Sequence, residues 1–193
     1  MPTGVQLRDA RKQLFDAAER ILLREGPNAL TSRAVTAEAG CAKGVLHKHF
    51  TDFDTFLAEF VLDRINQMAP EAEALQEAAG TDTIANNLTK ALTALFTSVA
   101  VAIVPLVTFR EELRTNLRKT WPAGVPVLTD AVEVIANYLE AEQTHNRIKQ
   151  TADIDTLAVT LIGTAHLLFA DQKNPPTQNT IHKTVTAVIS SAV

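Results

Sequence analysis

The sequence predicts an all-α fold: a three-helix head containing a helix-turn-helix, then a larger helical body, about nine helices in all. Three observations carry this. Apolar residues recur at three- and four-residue intervals in nearly every segment, as in Leu14, Ala17, Ala18, Ile21 and Leu22. Strand signals are missing, with no clean polar–apolar alternation and no Asn-Gly or Asp-Gly turn. Gly, Pro and short polar residues fall where helix ends would need them. The composition agrees: 193 residues at 46% hydrophobic and 21% charged can bury a core and are too apolar for disorder. A single cysteine, Cys41, excludes an internal disulfide framework and a cysteine-based zinc site.

The first helix is expected from about 8 to 25, stopped by Gly26-Pro27. Thr31 is placed to cap a short second helix over 32–39, ended by Gly40. Ala42 or Lys43 opens a third short helix that runs to His49 or Phe50. Helices this short are marginal alone, so Val35, Ala39, Cys41, Leu46 and Phe50 are expected to face inward and hold them. Asp52 or Asp54 caps a fourth helix carrying Phe53, Phe56, Leu57, Phe60 and Val61 on one stripe. Pro70 and Gly80 bracket an acidic stretch of unassigned order. A long helix follows from Asp82 or Thr83 to about Val104, and Pro105 restarts the chain as a shorter helix to Lys119. Three more helices are expected over 125–145, 153–170 and 177–190, separated by turn residues such as Asn174-Pro175-Pro176.

Charge is unevenly spread. Residues 1–50 hold eight Lys/Arg against five acids, a net +3, whereas residues 51–193 carry a net −7. A basic first quarter on an acidic remainder suggests an anion-binding head. Two short helices joined by a Gly turn inside that basic segment look like a helix-turn-helix, in which one helix braces another that enters the major groove.

The segment reads Leu14-Phe15-Asp16-Ala17-Ala18, Gly26, Thr31, Val35, Ala39-Gly40-Cys41, Lys43-Gly44-Val45-Leu46, His49-Phe50 and Leu57. It resembles the amino-terminal signature of the TetR family of bacterial transcriptional regulators. The resemblance is dense over about 50 residues and elsewhere extends only to helical content and length. This chain has Thr36 where the family usually has Ala, Cys41 for Val, Ala42 for Ser, His47 for Tyr and Phe53 for Lys.

The resemblance implies a DNA-binding homodimer. Residues 1–51 would form the helix-turn-helix domain and residues 52–193 an effector-binding and dimerisation domain. Such a protein typically represses from a palindromic operator on double-stranded DNA and is released by a small, largely apolar effector. Toward DNA, Lys43 and Lys48 would meet phosphate or a base edge, Gly44 would allow close approach, and Val45 would touch a thymine methyl. His47 and His49 would donate to phosphate, Thr31 would cap and donate, and Arg33 would reach phosphate or base. The body offers Phe96, Ser98, Val99, Phe109, Leu113, Trp121, Tyr138 and His166 as lining for an apolar effector cavity. Each equally suits ordinary core. Leu157, Leu161, Ala165 and Leu168, with Ile181, Val185 and Val188, form charge-poor stripes that look like a dimer interface by the same resemblance. They also suit packing within one chain.

Other classes fare worse. No nucleophile elbow, phosphate-binding loop, dinucleotide glycine turn or His-Glu-x-x-His is present, so an enzyme is not expected, nor a cofactor. His47 and His49 lie two apart on different helix faces, which disfavours a metal site. Glu111-Glu112 read as a solvated face, with pairing to Arg114. The 19 charge-free residues from Ala91 to Phe109 approach the length of a membrane span, but Thr93, Thr97, Ser98 and Pro105 interrupt them, and a buried helix is expected. Met1 is followed by Pro2-Thr3-Gly4 rather than an apolar run, so no secretory signal and a cytoplasmic location are expected. The competing reading is a helical ligand carrier or interaction protein that does not bind DNA.

Overall fold

A computed structural model describes residues 9–119, 125–171 and 174–193. Every regular element among them is helical. The chain divides into two compact units, residues 1–66 with 102–125, and residues 67–101 with 126–193.

In the first unit, α1 (Ala10–Glu25) is capped by Asp9, whose carboxylate accepts from Lys12 N–H at 3.0 Å. It ends at Gly26, whose φ of 81° only glycine adopts without strain, and Pro27 opens a 3-10 turn. Helices α2 (Ser32–Glu38), α3 (Gly44–His49) and α4 (Phe53–Asn66) follow. Asp52 caps α4 by accepting from Thr55 N–H at 2.6 Å, and these hydrogen bonds lower its carboxyl below the usual range. The core beneath the short helices joins Leu14, Ala18, Ile21, Val35, Leu46 and Leu57 to an aromatic cluster. Phe15 lies 5.5 to 6.1 Å from Phe50, Phe56 and Phe60, and Phe50 meets Phe56 edge-on at 5.0 Å. Ala39 and Cys41, expected inside, are only half-buried at the rim of the turn.

The compact unit holding the head is larger than residues 1–51, because α8 (Glu111–Leu117) packs against α4. Phe53 stacks on Phe56 at 5.5 Å and carries the Arg110 guanidinium 5.3 Å above its ring. Helix α7 (Ala100–Phe109) corrects the expectation at Pro105. The proline sits inside that helix, and the breaks fall instead at Ser98 and Arg110. One lost amide bond is offset where Ile103, Leu106 and Val107 are almost wholly buried. Glu111 does not hold Arg114 as expected; Arg114 donates to the Thr108 carbonyl at 2.6 Å.

In the second unit the stretch after Met68 is ordered as α5 (Ala69–Glu77), with Pro70 in its first turn where a missing amide costs nothing. Thr83 caps α6 (Ile84–Thr97), accepting from Asn86 N–H at 3.1 Å. Asp82 beside it has φ 45° and accepts from Asn86, Thr83 and Lys90, which pull its carboxyl down to about 2. Helices α9 (Leu128–Thr144), α10 (Ile154–Leu168) and α11 (Gln178–Ile189) complete the unit. Asp153 and Thr177 cap the last two. Helix α10 packs on α9 and α11, and α11 on α6, around a core of Leu88, Leu92, Ile135, Leu139, Leu161, Ile162, Ile181 and Val185. The charge-free run is thus divided between α6 and α7, and no single helix among the described residues is long and apolar enough to cross a membrane.

Candidate nucleic-acid interface

The α2–turn–α3 segment is built by local hydrogen bonds that its residues dictate. Thr31 adopts extended backbone and accepts from Ala34 N–H at 3.2 Å, which starts α2. Thr36, where small apolar residues are usual, is buried yet satisfied. Its hydroxyl donates back to the carbonyls of Ser32 and Arg33. Helix α2 ends when Gly40 turns left-handed at φ 65°. The amide of Gly40 then reaches the Ala37 carbonyl, and that of Cys41 the Thr36 carbonyl, both at 3.0 Å. This pair of closing bonds needs a residue free of Cβ strain at the turn, which is why a glycine stands there. Helix α3 begins at Lys43 without a side-chain cap, as Ala42 implied.

Two residues anchor α3, Leu46 and Phe50, both essentially buried. The remaining residues face water. Thr31, Arg33, Lys43, Gly44, His47, Lys48 and His49 are exposed, and Val45 is half-buried. All eight expected DNA-facing residues therefore lie on this segment, with at least part of each accessible. The head's ion pairs sharpen the picture. Arg20 and Arg24 converge on Glu38 at 2.8 and 3.0 Å, and hold that carboxyl below its usual range. Arg64, 3% exposed, binds Asp16, Glu19 and Asp63 at 2.8 to 2.9 Å. Among the described residues, no ion pair engages Arg33, Lys43 or Lys48. Asp16, Glu19, Glu25, Glu38, Glu59 and Asp63 are thus paired with arginines of α1 and α4, while Arg33, Lys43 and Lys48 stay open to an external anion. The Cys41 thiol is pushed up by burial, which disfavours the reactive thiolate.

The expected effector residues are divided between the two units, Phe109 and Leu113 in the first and Phe96, Ser98, Val99, Tyr138 and His166 in the second. Phe96 stacks on Phe169 at 5.5 Å and meets His166 edge-on at 6.3 Å, so these two are neighbours. Tyr138 is fully buried in a separate polar knot: its hydroxyl donates to Glu142 at 2.5 Å and accepts from Asn87 at 3.1 Å. Burial and the Glu142 carboxylate raise its ionisation well above the usual value. Ser98 donates to Leu95, Val99 and Leu113 are buried, and Phe109 stands 84% exposed. Trp121 lies outside the described residues. A cavity of about 240 Å³ between α5 and α6 is lined by other residues, including Leu75, Asn87 and Lys90.

The residues of the expected dimer stripe divide by burial. Leu161, Ala165, Ile181 and Val185 are at most 3% exposed and belong to the second unit's own core, with Leu157, Leu168 and Val188 packed against it. Leu157, Leu168 and Val188 keep part of their surface. The outward face of α10 lies two residues on, about 200° around the helix. Val159 and Leu167 there are 58% and 76% exposed, with Gly163 open between them. Reasoning from sequence also passed over Arg11, Arg64, Asn87 and Glu142. Only the four-residue spacing of Tyr138 and Glu142 on one helix could have pointed to a pair.

Residues 14–59 match the model of a family described as bacterial regulatory proteins, tetR family. A curated relative, the HTH-type transcriptional regulator PksA of Bacillus subtilis (strain 168), is 32% identical over 88 residues. That match covers 39% of this chain and 43% of PksA, so the chain spans less than half the length of the curated relative it matches. Among solved structures, the reduced form of Escherichia coli NemR superposes with a TM-score of 0.72 at 14% identity, over 96% of this chain and 98% of that one. A transcriptional regulator from Rhodococcus sp. Rha1 does so at 0.71 and 18%, over 94% and 97%. At these identities the two structures establish the shared fold.

Proposed function

We propose, from the match of residues 14–59 to the tetR family of bacterial regulatory proteins and the similarity to PksA, that this chain belongs to that family and is a DNA-binding transcriptional regulator. The observation that carries the proposal is the segregation of charge in the head. Six acids, Asp16, Glu19, Glu25, Glu38, Glu59 and Asp63, pair with arginines of α1 and α4, and among the described residues Arg33, Lys43 and Lys48 stand exposed and without an ion pair on the helix-turn-helix. Helix α3 would lie in the major groove with Lys43, Gly44 and Val45 toward base edges. Thr31, Arg33, His47, Lys48 and His49 would hold phosphate.

The protein works as a homodimer in this reading, because two heads double the contact and read a palindrome. The outward α10 face of Val159, Gly163 and Leu167 is the surface assigned to the second copy. Residues 52–193 act as the effector and dimerisation part, and a small apolar molecule releases DNA by binding the non-binding conformation better. Repression is the expected outcome of operator occupancy.

Duplexes selected from a random pool test the proposal. Affinity for them should fall steeply and linearly on a log–log plot against salt. Lys48→Ala should weaken selected and scrambled duplexes alike and reduce the salt slope by about one. Val45→Ala should change the preference at a single base position with the slope intact. A pool that yields no enriched sequence would contradict the proposal.

A further inference from the structure

Arg11 sits near the start of α1, yet it touches three other structural features at once. Its guanidinium donates to the carbonyl of His49, the last residue of α3, at 3.3 Å. It lies 4.4 Å over the ring of Phe50, the residue that ends the recognition helix. It also forms an ion pair with Glu59 in the middle of α4. Helix α3 has only six residues, so it carries little intrinsic stiffness, and its orientation depends on what holds its ends. Its amino end has no side-chain cap, whereas its carboxyl end has this cation on an otherwise orphan carbonyl, complementing the negative end of the helix.

We propose that Arg11 is a positioning residue for DNA recognition: braced by Glu59, it fixes the carboxyl end of α3 against α4 and so sets the tilt at which α3 meets the bases. The inference rests on the DNA-binding reading and adds to it a dependence of base discrimination on a pair outside the helix-turn-helix. The planar fork matters, since it must serve a carbonyl, a carboxylate and a ring face together, which an ammonium cannot do. The pair is partly exposed, at 44% and 36%, so breaking it leaves the head folded.

Charge alone and positioning predict opposite signs for Glu59→Gln. Removing a negative charge from the head should tighten binding to every duplex if only the net field matters. Positioning predicts about five- to tenfold weaker binding to the selected duplex, the size of coupling seen between contacting residues, with scrambled duplex bound no more weakly than before. Arg11→Ala and Arg11→Lys should lower the ratio of selected to scrambled affinity to the same extent. Combining Arg11→Ala with Glu59→Gln should add little. The melting temperature and salt slope should stay close to those of the unaltered protein.

Three outcomes overturn the inference: tighter binding by Glu59→Gln on both duplexes, full rescue by Arg11→Lys, or a salt slope lowered by about one in Arg11→Ala, the mark of a direct phosphate contact. An unaltered protein that prefers no sequence would instead remove the DNA-binding reading itself.

Discussion

Leu167→Glu should convert the protein from dimer to monomer in light scattering and weaken binding to a palindromic duplex by a factor of about 100 or more. Leu167 is 76% exposed on α10, eight residues from Val159 and four from Gly163, which together give an uncharged outward stripe. In a twofold interface a residue at the centre meets surroundings supplied by the same stretch of its copy, so one introduced carboxylate becomes two, both losing water. The second head then binds as a separate molecule, and the effective concentration supplied by its partner is lost. The fold should survive, because Leu167 contributes little to the chain's own core. Leu23→Glu, at another exposed apolar residue on α1, should leave the oligomeric state unchanged. A dimer that persists in Leu167→Glu would place the interface elsewhere.

Glu142→Ala should destabilise the protein by about 3–5 kcal/mol, the usual consequence of removing one partner from a buried charged network. Glu142 is completely buried on α9. It accepts from Tyr138 at 2.5 Å and from the Gly80 amide at 3.3 Å, and lies 3.4 Å from the Arg147 guanidinium. Arg147 also donates to the Thr81 and Asp82 carbonyls, and Asn87 to those of Ala78 and Thr81. The network therefore clamps the turn between α5 and α6 onto α9. Without the carboxylate, a buried phenol, an amide and a guanidinium lose a partner together. For a chain of this size the loss corresponds to roughly 6–20 °C in melting temperature.

Tyr138→Phe should cost less, about 1–3 kcal/mol, since Glu142 keeps its other partners and Asn87 keeps the Ala78 and Thr81 carbonyls. The raised ionisation of Tyr138 fixes the sign of an alkaline effect. Its contribution to stability is whole below the ordinary tyrosine range and declines as pH rises through the higher folded-state value. Tyr138→Phe should flatten that alkaline decline. If Glu142→Ala melts within 2 °C or so of the unaltered protein, the network is not a clamp.

Local chemistry made the helix starts and the turn of the head readable. Thr31, Asp52, Thr83 and Asp153 each hold the amide that their position at a helix start implies, and Gly40 takes the left-handed turn that separates α2 from α3. These are contacts over three to five residues, and a sequence displays them directly. What depends on distant partners was less visible. Pro105 reads as a break but stays helical, because burial of Ile103, Leu106 and Val107 outweighs one missing bond. Ser98, ending α6 by donating to Leu95, gave a weaker signal than the proline. The stripe through Leu161 and Ala165 was apolar because it faces the core of its own chain, and periodicity alone cannot separate that from an interface. Which of the expected effector residues lie together was least legible, since aromatic residues far apart in the chain do not reveal which of them share a neighbourhood.

Hydrogen exchange read by mass spectrometry, with and without a selected duplex, tests the DNA-facing surface most directly. Peptides spanning 31–49 should exchange more slowly when the selected duplex is bound, with a smaller effect from scrambled duplex at equal saturation. Protection confined to α9, α10 and α11, or none anywhere at saturating DNA, would contradict the assignment of α2 and α3 as the recognition surface.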